Sequence, residues 1–85
     1  MPKLPVLIGR RLKARRALLG ITQPELAERT GIPQAHISRY ERGVFTSINP
    51  ERLVVLAETL GVTTDYLLCP TADDDEEARR RLVRR

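Results

Sequence analysis

The stretch from Thr22 to Gly43, TQPELAERTGIPQAHISRYERG, constrains the fold of these 85 residues more than any other. Its spacing predicts a short helix, a tight turn and a second short helix. Thr22 can cap the first helix, and Glu25, three residues on, can complete a capping box. Pro24 falls in the first turn, where an N–H would have no helical partner anyway. Leu26 and Ala27 point inward. Thr30-Gly31-Ile32 then breaks the helix, with Gly31 able to take φ > 0. Pro33 restarts a helix that runs to Arg42 and stops at Gly43.

The second helix has two faces. At about 100° per residue, Pro33, Ile37, Tyr40 and Glu41 fall inward. Ala35, Arg39 and Arg42 fall opposite, with His36 and Ser38 on the flanks and Gln34 at the N-terminal edge. That outward chemistry suits DNA base edges. Gln can bond adenine N6 and N7 bidentately, Arg can bond guanine O6 and N7, and Ala can touch a thymine methyl. Gln34, Ala35 and Arg39 are therefore the leading candidates for base contacts, followed by His36 and Ser38.

A first helix is predicted from Pro5 or Val6 to Leu19, with Gly20 just past its end. Ile8, Leu12 and Leu19 give its core stripe. Arg10, Arg11, Lys13, Arg15 and Arg16 crowd the rest. They form either a solvated basic face or one from which Arg10 or Arg11 meets a DNA phosphate. After the loop Val44–Ile48, Asn49 caps a fourth helix with Pro50 at its first position, and Ile48 can staple to Leu53. Leu53, Leu56, Ala57 and Leu60 are its buried stripe. A short fifth helix is capped by Thr63 or Thr64 and carries Tyr66, Leu67 and Leu68, ending at Pro70. Phe45 either joins the core or helps form a dimer surface. The expected fold is all-α: five short helices around one core, with no strand candidate. Residues 1–5 read as an arm, 6–70 as the domain and 71–85 as a charged tail.

Charge agrees with a polyanion partner. The chain carries 15 Lys/Arg against 11 Asp/Glu, a net +4. Residues 1–70 hold all of that excess, because the five acids and five arginines of 71–85 cancel. Six basic residues and no acid precede Glu25. An exposed basic helix face would have the same composition. Acids precede arginines in the tail, which suits a helix dipole, and Glu76–Arg80 and Glu77–Arg81 are spaced as i,i+4 pairs. The tail reads either as disordered or frayed, or as a helix that docks on a second subunit or a partner protein.

Taken in order, these residues resemble a known family, the lambda-repressor-like, Cro/repressor-type helix-turn-helix domains, also called XRE-like. The matching pieces are Leu12, Arg16, Gly20-Ile21-Thr22-Gln23, Glu25-Leu26-Ala27, Gly31-Ile32, Ile37-Ser38-Arg39 and Glu41-Arg42-Gly43. Leu53, Leu56-Ala57, Leu60-Gly61-Val62 and Asp65-Tyr66-Leu67-Leu68 continue the series, so that the resemblance covers residues 6 to 69. It implies a compact five-helix domain with helix 3 in the major groove. It also implies a structural ion pair between Arg16 and Glu41. Gln23 matches a position that binds phosphate and braces the residue at Gln34's position. Arg42 and the loop residues Thr46, Ser47 and Asn49 are further phosphate candidates. Two departures stand out. Pro33 replaces the usual capping Ser or Thr, and the Val44–Ile48 loop is about one residue longer than the common form and lacks its basic residues.

Other classes of function find little support. His36 and Cys69 are the only histidine and cysteine, too few for a zinc cluster or a disulfide within one chain. No phosphate loop or Gly-x-Ser-x-Gly is present, so no enzyme and no cofactor are expected. Asp73–Asp75 read as solvated rather than metal-binding, and Cys69 as a small apolar residue near the end of helix 5. No apolar run approaches the ~20 residues that span a membrane, no signal peptide is visible, and the single cysteine fits a reducing cytoplasm. The expected function is sequence-specific binding of double-stranded DNA at a near-palindromic operator, as a homodimeric transcriptional regulator of the repressor kind. The expected dimer surface is helix 5 with the loop before helix 4, through Phe45, Tyr66 and Leu68. The alternatives are an antitoxin or controller subunit whose main partner is another protein, and an interaction module that has lost DNA binding.

Overall fold

Five helices follow one another through short turns: α1 Leu4–Leu18, α2 Gln23–Thr30, α3 Gln34–Arg42, α4 Pro50–Leu60 and α5 Thr64–Leu68. The structure, a computed structural model, describes residues 3–68, and no strand occurs among them. The expectations for Cys69, Pro70 and the charged tail lie outside the described residues.

α1 starts at Leu4 with Pro5 in its first turn, one residue before the earlier of its two expected starts. Leu7, Ile8 and Leu12 are buried. Leu19, expected to complete that stripe, is 45% exposed instead. The helix ends at Leu18, and the Gly20 N–H bonds Ala17 O (3.0 Å) while the Ile21 N–H bonds Arg16 O (3.2 Å). This Schellman pattern turns the chain back on itself. Ile21 takes the core place that a longer helix would have given Leu19. α1 also crosses α3 closely. A Cβ on Gly9 would stand 2.5 Å from Tyr40 O and 2.6 Å from Glu41 O, so only glycine fits that crossing.

In α2 the Thr22 Oγ1 accepts from the Glu25 N–H (3.2 Å) and Glu25 Oε1 accepts from the Thr22 N–H (2.9 Å), which is the reciprocal capping box. Gly31 ends α2 at φ 75°, and its N–H bonds Ala27 O. The Thr30 hydroxyl donates to Leu26 O (2.8 Å) and accepts from the Ile32 N–H (3.2 Å). Ile32 is thereby drawn into the core, and α3 leaves the turn at a fixed angle. Pro33 stands at the N-cap of α3 without a side-chain cap bond, as its chemistry requires, and it is exposed rather than inward.

Asn49 Oδ1 caps α4 through the Glu51 N–H (2.7 Å), and Leu53, Leu56, Ala57 and Leu60 are its buried side. Thr63, not Thr64, caps α5, accepting from the Tyr66 N–H at 3.0 Å. α1 packs on α3, α4 and α5, and α2 on α3 and α4. Leu12, Leu26, Ile37, Leu56, Leu60 and Leu67 meet at the centre. Each contributes about 1.5–3 kcal/mol by leaving water. Phe45 meets Tyr40 edge-on (centroids 5.2 Å apart, planes at 79°) and packs on this core with Tyr66 and Leu68. All three side chains are half-buried.

Candidate nucleic-acid interface

The site is the free side of α3, and its position is set by what lies beneath. Ile37, Tyr40 and Glu41 are buried. Glu41 is the anchor. Its carboxylate accepts from Arg16 Nε (2.6 Å), Arg16 Nη2 (3.0 Å) and Gln23 Nε2 (3.0 Å). Arg16 Nη1 donates in turn to Ile21 O at 2.8 Å. One carboxylate thus ties the end of α1, the start of α2 and the last turn of α3. The bidentate fork fixes orientation as well as distance. The hydrogen bond to Glu41, with its charge, holds the Arg16 guanidinium above its ordinary range against the opposing effect of burial.

On the other side Gln34, Ala35, Arg39 and Arg42 are exposed, with His36 and Ser38 half-buried at the flanks. Arg42 Nε reaches back to Ser38 O at 3.3 Å, which leaves its guanidinium at the edge of the face. Gly43 (φ 72°) ends α3 and packs against Pro5 and Val6 of α1, so the C-terminal end of the helix is also held. Thr46 and Ser47 are exposed in the following loop. They line a cavity of about 270 Å³ with His36, Arg39, Tyr40, Phe45 and Arg52.

Two sequence-derived phosphate candidates are placed differently. Arg11 is 2% exposed, its guanidinium 4.4 Å from the centre of the Tyr66 ring. A buried cation stacked on an aromatic face is engaged inside the domain and does not reach a phosphate. Gln23 uses its side-chain amide on Glu41, not on Gln34. Arg10 is exposed.

Sequence reasoning overlooked two arginines. Arg15 Nε donates to Leu60 O (2.8 Å) and so completes the C-terminal end of α4. Arg52, on α4, places Nη1 2.7 Å from His36 Nδ1 and 2.9 Å from Tyr40 Oη. No spacing rule pairs residues sixteen or forty-five positions apart. Among the described residues no group of His, Cys, Asp and Glu could hold a metal ion, and no helix is long and apolar enough to cross a membrane.

Comparison with known proteins bears on this arrangement. A family model described as "Helix-turn-helix" matches residues 12–67. The HTH-type transcriptional regulator ImmR of Bacillus subtilis is 39% identical over 61 residues, 72% of this chain and 47% of ImmR. Repressor protein C2 of Salmonella phage P22 is 40% identical over 62 residues, 73% of this chain and 28% of the repressor. The chain therefore spans about half or less of these curated relatives. The crystal structure of the P22 c2 repressor in complex with a synthetic operator superposes with a TM-score of 0.68 at 39% identity, covering 73% of this chain and 92% of that one. A chain of the SinR–SinI complex superposes at 0.74 with 30% identity, covering 91% and 75%. The matched model covers most of the domain, and the relatives that resemble it carry the names of a transcriptional regulator and a repressor. The chain belongs to the XRE/lambda-repressor-like helix-turn-helix family of DNA-binding regulators.

Proposed function

We propose that the chain is a homodimeric repressor that binds a near-palindromic operator in duplex DNA, with α3 in the major groove. The observation that carries this is the free face of α3. Gln34, Ala35 and Arg39 stand exposed on a helix whose other side is locked by Ile37, Tyr40 and Glu41. A rigid base makes such side chains selective, because a misplaced contact cannot relax onto a wrong base pair. These three make the base contacts, flanked by His36 and Ser38. Arg10, Arg42, Thr46 and Ser47 hold phosphates, and Gln23 can offer its backbone N–H at the first turn of α2. The likeness to P22 c2, solved on an operator, supports this reading. Such a role belongs in the cytoplasm.

Dimers place two recognition helices one helical turn apart, ~34 Å. Leu4 and Val44 supply exposed apolar surface beside the contact of Gly43 with Pro5 and Val6. Sedimentation of the purified chain checks the dimer, and a monomer at high concentration would defeat it. Selection of sites from random duplex DNA at two salt concentrations tests the whole reading. A near-palindrome with half-sites one turn apart is expected. Weak, salt-sensitive binding without enrichment would mean nonspecific electrostatics. Arg39→Ala should then cost ~1–3 kcal/mol and relax preference at one base pair. Equal weakening on every sequence would remove Arg39 from base readout.

A second reading draws on the SinR–SinI likeness: a controller or antitoxin subunit that binds another protein through residues 71–85 as well as its own operator. Removing the tail should then release a co-purifying partner and leave DNA binding intact.

A further inference from the structure

Arg52 joins α4 to the recognition helix. We infer that Arg52 fixes the tautomer of His36, and so makes His36 a reader of hydrogen-bond acceptors alone; the readout half of this inference rests on the DNA-binding reading above. Arg52 Nη1 lies 2.7 Å from His36 Nδ1 and 2.9 Å from Tyr40 Oη. A guanidinium has five N–H donors and no acceptor. Both contacts therefore run one way. His36 Nδ1 accepts with its lone pair, and Tyr40 Oη accepts with one of its own. A ring carrying hydrogen on Nδ1 would set N–H against N–H. The imidazole proton is thus on Nε2, on the far side of the ring from Arg52.

The guanidinium is well held. Arg52 is half-buried and precedes the core residue Leu53. Tyr40 is buried and braced edge-on by Phe45. His36 stands one helical turn before Arg39, so the two side chains share one side of α3 and line one cavity. With Nδ1 engaged, His36 offers DNA a single polar group, the Nε2–H donor. In the major groove that donor fits guanine N7 or O6, adenine N7 or thymine O4, and finds no partner on the cytosine N4 amino group. Arg39 is likewise donor-only. Together they select acceptors at neighbouring positions, whereas Gln34 can both donate and accept. Arg52 is then a positioning residue for specificity, although it lies outside the recognition helix.

His36 is the sole histidine, so its ring nitrogens can be observed without ambiguity. Long-range 1H–15N correlation on the free 85-residue chain should show Nδ1 unprotonated and Nε2 protonated. In Arg52→Met the Nδ1 hydrogen-bond signature should disappear. A protonated Nδ1 in the wild type, or identical spectra in both, would overturn the tautomer assignment. A protonated Nδ1 in the wild type overturns the assignment even if the variant unfolds. Site selection with wild type, Arg52→Met and His36→Ala tests the readout. Both variants should lose about fivefold preference at the same single base pair, the size expected of one hydrogen bond, and keep it elsewhere. Uniform weakening over all positions would reduce Arg52 to a structural role. Failure of the wild type to enrich any site would sink the DNA-binding reading, while the tautomer result would stand on its own spectrum.

Discussion

Five cationic side chains of α1 meet different fates. Arg10 and Lys13 are exposed, Arg11 stacks on Tyr66, Arg15 bonds Leu60 O and Arg16 grips Glu41. Residue type could not distinguish them, because a guanidinium serves equally as counter-ion, helix cap and aromatic partner. Glu41 is the more buried partner of the Arg16–Glu41 pair, so removing Arg16 leaves a buried carboxylate uncompensated. Arg16→Met should lower stability by ~3–5 kcal/mol in urea unfolding. A loss below 1 kcal/mol would show that water replaces the guanidinium. Glu25 sets a pH dependence. Its carboxyl is held below its ordinary 4.5 by the bond from the Thr22 N–H, then by the Thr22 hydroxyl. A lowered folded-state pKa stabilises above the unfolded value and loses that contribution as pH falls from about 4.5 through the folded value. Urea midpoints measured from neutral pH into that window should fall less steeply for Glu25→Gln than for wild type. Parallel slopes would mean that the bond does not persist in solution.

Helix ends account for most of what local sequence encodes. The Thr22–Glu25 box and the Asn49 cap follow from residue type and spacing alone, since each satisfies an orphan N–H within three positions. Asn49→Ala should cost ~1 kcal/mol, measured by thermal or urea unfolding, with DNA preference unchanged. A change in preference would mean that Asn49 also contacts the operator. α3 lacks such a cap because Pro33 has no capping oxygen, and its stability comes from Ile37, Tyr40 and Glu41 beneath it. α1 shows the limit of periodicity. Leu19 continues the stripe in number but lies past the last helical residue, where the chain has already turned.

Over the whole molecule, net charge overstates what is free for a polyanion. Arg11, Arg15, Arg16 and Arg52 are engaged inside the domain. On the DNA-binding reading, Arg10→Ala and Arg42→Ala should each lower the salt slope of binding by about one and spare preference. Arg11→Ala should lower the unfolding midpoint and spare the slope. The reverse pattern, read from binding isotherms across salt, would return Arg11 to the DNA face. By itself the sequence determined the five helices, the caps at Thr22 and Asn49, the turn at Gly31 and the exposed side of α3, since each depends on contacts within a few residues. The Arg16–Glu41 pair was legible only through the family resemblance. Tertiary structure alone decided that Arg11 is inside, that Gly9 must lack a side chain where α1 crosses α3, and that Arg52 reaches His36. Those outcomes depend on which helices meet and at what distance, and no short-range pattern records the meeting of residues that far apart.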